Sequence, residues 1–271
     1  MAFASDKGRQ GAAGQGAASS YSIDNSLRFN DDDSPYLSRT PSVAGDARTW
    51  TLSFWVKRCN IKGVRQIIFT ESVGPTYIRF DPSERFDFYV DKTSDYRLTT
   101  TAKYRDTGAW MHFVCALDTT QATASDRMNL YVNGEKITDF STETYPPLNH
   151  EFWVNTTSAE HRFGKYSADY LDAYLAEVHF VDGAAKNQYD FGEFDADYKH
   201  WKPKEVTLAT ADYGTNGYYL PFKHDTTAAG FGIVTYTGTG STYNITGVGF
   251  QPDLVILKGR SIAGWHGVFD S

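Results

Sequence analysis

The sequence is short of several things at once. Two cysteines, Cys59 and Cys115, occur in 271 residues. That excludes a scaffold built on disulfides, and a buried free thiol is the expectation for Cys115. No apolar run approaches the 18 residues of a membrane-spanning helix. The N-terminus lacks the continuous apolar stretch of a signal peptide. Basic charge is also lacking: 26 Lys and Arg stand against 33 Asp and Glu, a net charge of −7. A nucleic-acid binder normally carries a basic excess, so no nucleic-acid partner and no membrane insertion are expected. The histidines show none of the HxH, HExxH or Cys/His spacings of zinc sites. There is no Gly-x-Ser-x-Gly elbow and no phosphate-binding glycine loop. The expectation from these absences is a chain that is not an enzyme.

Aromatic residues are plentiful, at 15% of the chain, alongside 23 glycines. Period-two alternation dominates. Trp50, Leu52, Phe54 and Val56 alternate with Thr51, Ser53, Trp55 and Lys57, which predicts a half-buried strand. Shorter strands are predicted over 76–80, 85–90 and 96–101. Met111, Phe113, Cys115 and Leu117 form one face of a further strand, with His112, Val114 and Ala116 on the other. Met128 to Val132 runs into Asn133-Gly134, a type I′ hairpin signal, with a return strand expected over 135–140. Tyr174 to Val181 alternates in the same way. No segment has helical periodicity. The pattern predicts an all-β, antiparallel β-sandwich of two sheets with six or seven strands each, over residues 21–185.

The flanks differ in character. Residues 1–20 are mostly Gly, Ala, Ser and Gln and cannot offset the entropy of ordering alone, so a flexible arm is expected. Residues 186–229 carry Phe191, Phe194, Tyr198, Trp201, Tyr213, Tyr218, Tyr219 and Phe222. They predict a connector that docks its aromatics on the sandwich. Residues 230–271 restart a β pattern at Val234–Tyr236 and Leu254–Leu257. About 40 residues do not readily build a core alone, so this segment is expected to be incomplete, or completed by neighbouring chains.

Three stretches carry a resemblance. They are Ser26–Phe29 with Thr51–Val56, Trp110–Val114 with Leu130–Gly134, and Phe163-Gly164 with Asp172–Val178. Together they resemble the laminin-G-like, concanavalin-A-like superfamily, which implies a jelly-roll sandwich. A further run resembles virion and tail-associated proteins of bacteriophages, marine ones especially. It comprises Tyr174–Gly183, Phe191–Phe194, Trp201–Lys204 and Tyr213–Leu220. Gly249–Val255 with Lys258–Arg260 resembles a module that often follows it. The implied role is a structural protein of the virion, a tail fibre or an appendage on tail or capsid, active in host attachment. The implied partners are other virion proteins, further copies of the chain as a trimer, and a host surface glycan. The arm, with Phe3, Lys7, Arg9 and Gln10, would be the anchor to the particle. A lectin-like adhesin is the alternative.

Candidate site residues follow from chemistry. Tyr145, Trp153, Tyr166 and Tyr170 lie in loop stretches and suit either sugar stacking or a subunit interface, since both need large contact area at low entropy cost. Cofactors are expected to be absent, with calcium as the one ion a laminin-G-like rim would take; Asp31, Asp33 and Asp172 are its candidate ligands. His112 and His179 sit mid-strand and read as packing residues. A glucanase would need two carboxylates, about 5–5.5 Å apart if retaining. The nearest run is Glu193-Phe-Asp195-Ala-Asp197, whose ends would lie roughly 13 Å apart on a strand, so that activity is disfavoured.

Overall fold

The computed structural model describes residues 21–74, 76–90 and 94–223, together with the backbone of two strands, 254–257 and 267–270. The arm residues Phe3, Lys7, Arg9 and Gln10 and the stretch 234–236 lie outside the described residues. The chain divides into two units, Met1–Phe222 and Lys223–Ser271.

The strands of the first unit, in chain order, begin with β1 (Leu27–Phe29), β2 (Leu37–Arg39), β3 (Thr49–Arg58), β4 (Gln66–Glu71), β5 (Tyr77–Phe80) and β6 (Arg85–Val90). There follow β7 (Tyr96–Lys103), β8 (Met111–Asp118), β9 (Met128–Val132), β10 (Glu135–Lys136), β11 (Phe140–Thr144) and β12 (His161–Phe163). The last are β13 (Lys165–Tyr166), β14 (Asp169–Tyr170), β15 (Ala173–Asp182), β16 (Gly192–Phe194), β17 (Trp201–Pro203) and β18 (Tyr218–Leu220). The first sheet runs β1-β15-β3-β8-β9-β10, with β18 also on β15. The second runs β11-β7-β6-β5-β4-β12-β2. All pairings in both sheets are antiparallel. The protein is an all-β sandwich of the jelly-roll kind. Among the described residues no helix is long and apolar enough to cross a membrane.

The inward positions of the two sheets interdigitate as rings. Trp50, Phe54, Phe113 and Phe180 of the first sheet meet Phe69, Phe80, Phe86 and Phe88 of the second, all of them buried. Phe86 stacks on Phe113 at 4.1 Å between centroids, and Trp50 meets Phe88 edge-on at 5.7 Å. Each such side chain contributes about 1.5–3 kcal/mol through burial. Beneath this core edge lies a buried ion pair, Arg58 Nη2 to Glu84 Oε2 at 2.6 Å, with the Arg58 guanidinium 4.3 Å from the Phe80 ring centre.

Two strand expectations are corrected. β3 is not half-buried: eight of its ten residues are buried, because a later segment covers its outer face. That cover is the chain from Ala184 to Tyr219. Phe191 packs with Val114 and Val181 of the sheet, joined by Val206, Leu208 and Tyr213. Trp201 lies across Gly134, whose φ is +84°, and a Cβ there would overlap the indole ring. The return strand after Asn133-Gly134 also differs. Both turn residues have positive φ, 48° and 84°, as a type I′ turn requires. The pairing ends after Lys136, however, and the chain crosses at Phe140 to join the second sheet beside β7.

Among the described residues the second sheet has no comparable cover. Tyr77 faces Tyr89, Arg79 faces Asp87, Tyr89 faces Arg97 and Asp87 faces Thr99 across β5, β6 and β7. These residues share the outer face, since their alternating neighbours Ile78, Phe88 and Leu98 lie in the core.

The second unit contains β19 (Leu254–Leu257) and β20 (Gly267–Asp270), an antiparallel pair with Leu254 opposite Asp270.

Candidate functional site

On that open face a concavity of about 230 Å³ is lined by Arg65, Tyr77, Arg79, Tyr89, Arg97 and Tyr166. Tyr77 and Tyr89 form its floor, 5% and 7% exposed, with ring centres 5.5 Å apart. Arg79 lies against both, its guanidinium 5.0 Å from the Tyr77 centroid and 6.0 Å from that of Tyr89. It is held from below. Nε and Nη2 both donate to Asp87 Oδ2, at 3.0 and 2.8 Å, and Asp87 Oδ1 accepts from Thr99 Oγ1 at 2.7 Å. The hairpin of β13 and β14 turns at Ser167, where φ is +53°. It carries Tyr166 onto the edge of Tyr77 at 4.6 Å. Arg97 lies 5.8 Å from the Tyr89 ring. Burial, reinforced by the Tyr166 hydrogen bond, pushes the Tyr77 hydroxyl far up, and burial followed by the charge of Asp95 raises Tyr89. Both hydroxyls therefore remain protonated donors. Arginine forks, phenol donors and ring faces are the groups that recognise oxygen-rich ligands.

A second concavity, of about 240 Å³, is lined by Ile23, Asp24, Asn25, Ser26, Trp55, Trp110 and Pro203. It has indole surface but no cation and no convergent donor set.

The titratable groups under the cover of the first sheet are held by one another and by tyrosines, with His179 Nε2 left 3.7 Å from Glu177 Oε2. Trp201 Nε1 donates to His112 Nδ1 at 3.0 Å, so the proton of this ring sits on Nε2 and points to Ser53 Oγ at 2.9 Å. That tautomer cannot accept a proton from Ser53, and burial pushes the His112 pKa down to about 3. Glu177 sits in a bulge of β15 with φ of +45°, a rare conformation for a side-chain-bearing residue. Its carboxylate accepts from Tyr21 and Tyr219, each at 2.8 Å. Burial works against the charge, but His179, Tyr219 and Tyr21 outweigh it and hold the Glu177 pKa below the ordinary value. His179 pairs through Nδ1 with Tyr213 at 2.7 Å. Asp182 accepts from the backbone of Asp46 and Asn216 and from Asn155, pinning three loops.

Of the sequence candidates, the structure brings Tyr166 into the groove. Tyr170 lies instead beside Lys165, whose Nζ is 5.5 Å from its ring and 4.3 Å from that of Tyr36. Tyr145 donates to Glu143 Oε1 at 2.5 Å and packs against the core. Trp153 packs over Gly74 with half its surface exposed. Asp31 and Asp172 converge on Lys62, at 2.6 and 3.6 Å, and Asp172 also meets Arg28 at 2.5 Å. Asp33 accepts from Asn30 at 2.6 Å. Among the described residues no group of three or more His, Cys, Asp or Glu is placed to hold a metal ion. Glu193 and Asp195 share Lys202, 3.3 Å from each. Sequence reading missed Arg65, Tyr77, Arg79, Tyr89 and Arg97. The signal was present in the outward positions of 77–79, 87–89 and 97–99, which alternate large polar residues with core residues.

A model of the laminin-G type, for the concanavalin A-like lectin/glucanases superfamily, matches residues 30–188. The chain belongs to this superfamily. A domain of unknown function (DUF7483) matches residues 226–271. A search of curated proteins finds no match. Among solved structures, the heptameric SAP-like pentraxin of Limulus polyphemus is 14% identical, with TM-score 0.44, over 59% of this chain and 77% of that one. Domain 4 of AbnA, a GH43 extracellular arabinanase of Geobacillus stearothermophilus solved with arabinotriose, is 17% identical, with TM-score 0.42, over 56% of this chain and 68% of that one. The Trypanosoma rangeli sialidase is 11% identical, with TM-score 0.37, over 52% of this chain and 22% of that one. These likenesses concern the fold alone. The expectation of a non-enzyme is corrected by the family itself: the superfamily whose model matches takes in glucanases as well as lectins.

Proposed function

We propose that the chain is a lectin-like glycan-attachment module of a virus particle, with the groove on the outer face of the second sheet as its sugar site. The observation that carries this reading is the groove itself: two packed tyrosine rings as floor, a third on a hairpin at the rim, and three arginines around them. The rim ring of Tyr166 suits the apolar face of a pyranose, and guanidinium donors suit its oxygens. Membership of a superfamily that includes lectins supports it. The virion half rests on the sequence runs 174–183, 191–194, 201–204 and 213–220, which resemble tail-associated phage proteins. In that setting the module sits on the tail or capsid surface as a fibre or appendage. It assembles with itself as a trimer and with other virion proteins through the arm that carries Phe3, Lys7, Arg9 and Gln10.

The test is a glycan array probed with the full chain, followed by titration of the best glycan against Tyr166→Ala. Loss of one ring contact worth about 0.5–1.5 kcal/mol weakens binding roughly 2- to 12-fold, with the thermal melt unchanged. Absence of binding to every glycan, or full binding by Tyr166→Ala, overturns the assignment of the groove.

A further inference from the structure

The three arginines of the groove are not equivalent, and the difference bears on which sugar fits. Arg79 is tied down: two of its donors go to Asp87, which is itself buried and held by Thr99. Its charge is compensated within the chain, and it serves as floor. Arg97 is different. Among the described residues its Nε is buried yet makes no hydrogen bond, and the carboxylate oxygen it approaches, Asp95 Oδ1, is 3.6 Å away on a side chain that is 58% exposed. Arg65 likewise reaches Asp169 only at 3.5 Å, and its own side chain is 52% exposed. Pairs this long and this exposed contribute little, so a better acceptor displaces them readily.

Resting on the glycan-attachment reading, we infer that the groove takes the carboxylate of an acidic terminal sugar, with Arg97 and Arg65 closing on the carboxylate and Tyr166 on the ring. A guanidinium presents paired N–H groups in a plane, and a carboxylate is the planar acceptor that matches them two to two. The one carboxylate of the groove floor, Asp87, is 2% exposed and already spent on Arg79 and Thr99, so it does not repel an incoming anion. The chain as a whole is acidic, at −7. With Arg79 neutralised by Asp87, it is Arg97 and Arg65, held only by long and exposed contacts to Asp95 and Asp169, that offer guanidinium charge to an anionic ligand at this concavity. The volume of about 230 Å³ falls below the roughly 300–1,000 Å³ of sites for larger ligands. One sugar residue fits it, and a glycan enters by its end.

The test uses the full chain and four probes: sialyllactose, a glucuronic-acid-terminated disaccharide, lactose, and 3′-sulfated lactose. The expected result is binding of the two carboxylated sugars at least tenfold tighter than of lactose. Arg97→Ala and Arg65→Ala each remove tenfold or more of that affinity, and Arg97→Lys restores only part. The methyl ester of sialyllactose, which removes the charge from the ligand and leaves the protein untouched, is expected to bind no better than lactose. That arm keeps the inference testable if an arginine variant fails to fold. Equal binding of lactose and the acidic sugars overturns the inference while the glycan-attachment reading stands. Preference for the sulfated over the carboxylated sugars overturns the carboxylate assignment. Failure of every probe, together with a blank glycan array, sinks both.

Discussion

Acidification from pH 7 to pH 5 should remove about 4 kcal/mol of stability from the sandwich, through two histidines that no ligand touches. His112 and His161 are both buried. His112 takes a hydrogen bond from Trp201 on Nδ1 and gives one to Ser53 from Nε2. His161 gives its Nε2 proton to the carbonyl of Val154 and faces the Tyr218 hydroxyl with Nδ1, at 3.3 Å. A second proton on His112 costs the Trp201 bond, and on either ring it places a charge away from water. Burial pushes their pKa values down to about 3 and about 4, against about 6.5 in an unfolded chain. A folded pKa below the unfolded one means that stability is complete above about pH 6.5 and is lost as the pH falls towards the folded value. At pH 5 the unfolded state gains 1.36 kcal/mol for each of about 1.5 pH units, or about 2 kcal/mol per histidine. His179, lowered by burial in the same way, adds to the loss. Glu71 and Asp182, whose burial raises their pKa values, act in the opposite sense at lower pH. The assay is urea unfolding followed by tryptophan fluorescence at half-unit steps of pH. In His112→Asn, stability at pH 7 is lower, but the loss between pH 7 and 5 shrinks by about 2 kcal/mol. Equal stability of the wild type at pH 7 and pH 5, or an unaltered pH slope in His112→Asn, refutes the reasoning.

Two further outcomes follow from the same structure. Arg58→Met leaves Glu84 buried beside Phe80 without its partner, and a loss of about 3–5 kcal/mol in urea unfolding is expected; a change under 1 kcal/mol would show that water reaches the carboxylate. Deletion of residues 1–20 is expected to leave the melting temperature of the sandwich unchanged and to abolish incorporation into particles, and normal incorporation would end the anchoring proposal.

How far the sequence carried can be judged at particular residues. Arg85–Val90 and Met128–Val132 were legible to the residue, because each alternates strictly and ends at a turn signal. Gln66–Glu71 was not: all six of its residues are buried, and a run with no exposed face has no period. β3 reads as half-buried because alternation reports the sheet and not what later covers it; the covering residues, Phe191 and Trp201, lie more than a hundred positions downstream. The end of pairing at Lys136 was hidden because a hairpin turn fixes where two strands begin to pair and not where they part. For the site, Tyr166 was legible as a loop aromatic. The rest was not, since the groove joins Arg65, Tyr77, Tyr89, Arg97 and Tyr166 through cross-strand register, and register is a tertiary property.

The two sheets share one alternating pattern, and the chemistry of their outward positions accounts for why one outer face is closed and the other is open. On the first sheet those positions hold Thr51, Ser53, Trp55, His112, Val114 and His179. They are apolar, or small and polar, or imidazoles that stay neutral when buried, and the polar ones find partners in the covering chain or in each other: Thr51 with Ala184, His112 with Trp201, His179 with Tyr213, and Ser53 with His112. Covering that face leaves no charge stranded. On the second sheet the outward positions hold Tyr77, Arg79, Asp87, Tyr89 and Arg97. A guanidinium does not shed its charge when it is covered, so a lid over Arg97 would have to bring a carboxylate of its own or pay several kcal/mol in desolvation. The described chain brings none nearer than 3.6 Å. The open face is thus a surface that the described residues cover poorly, and the proposed carboxylate ligand would supply the missing partner.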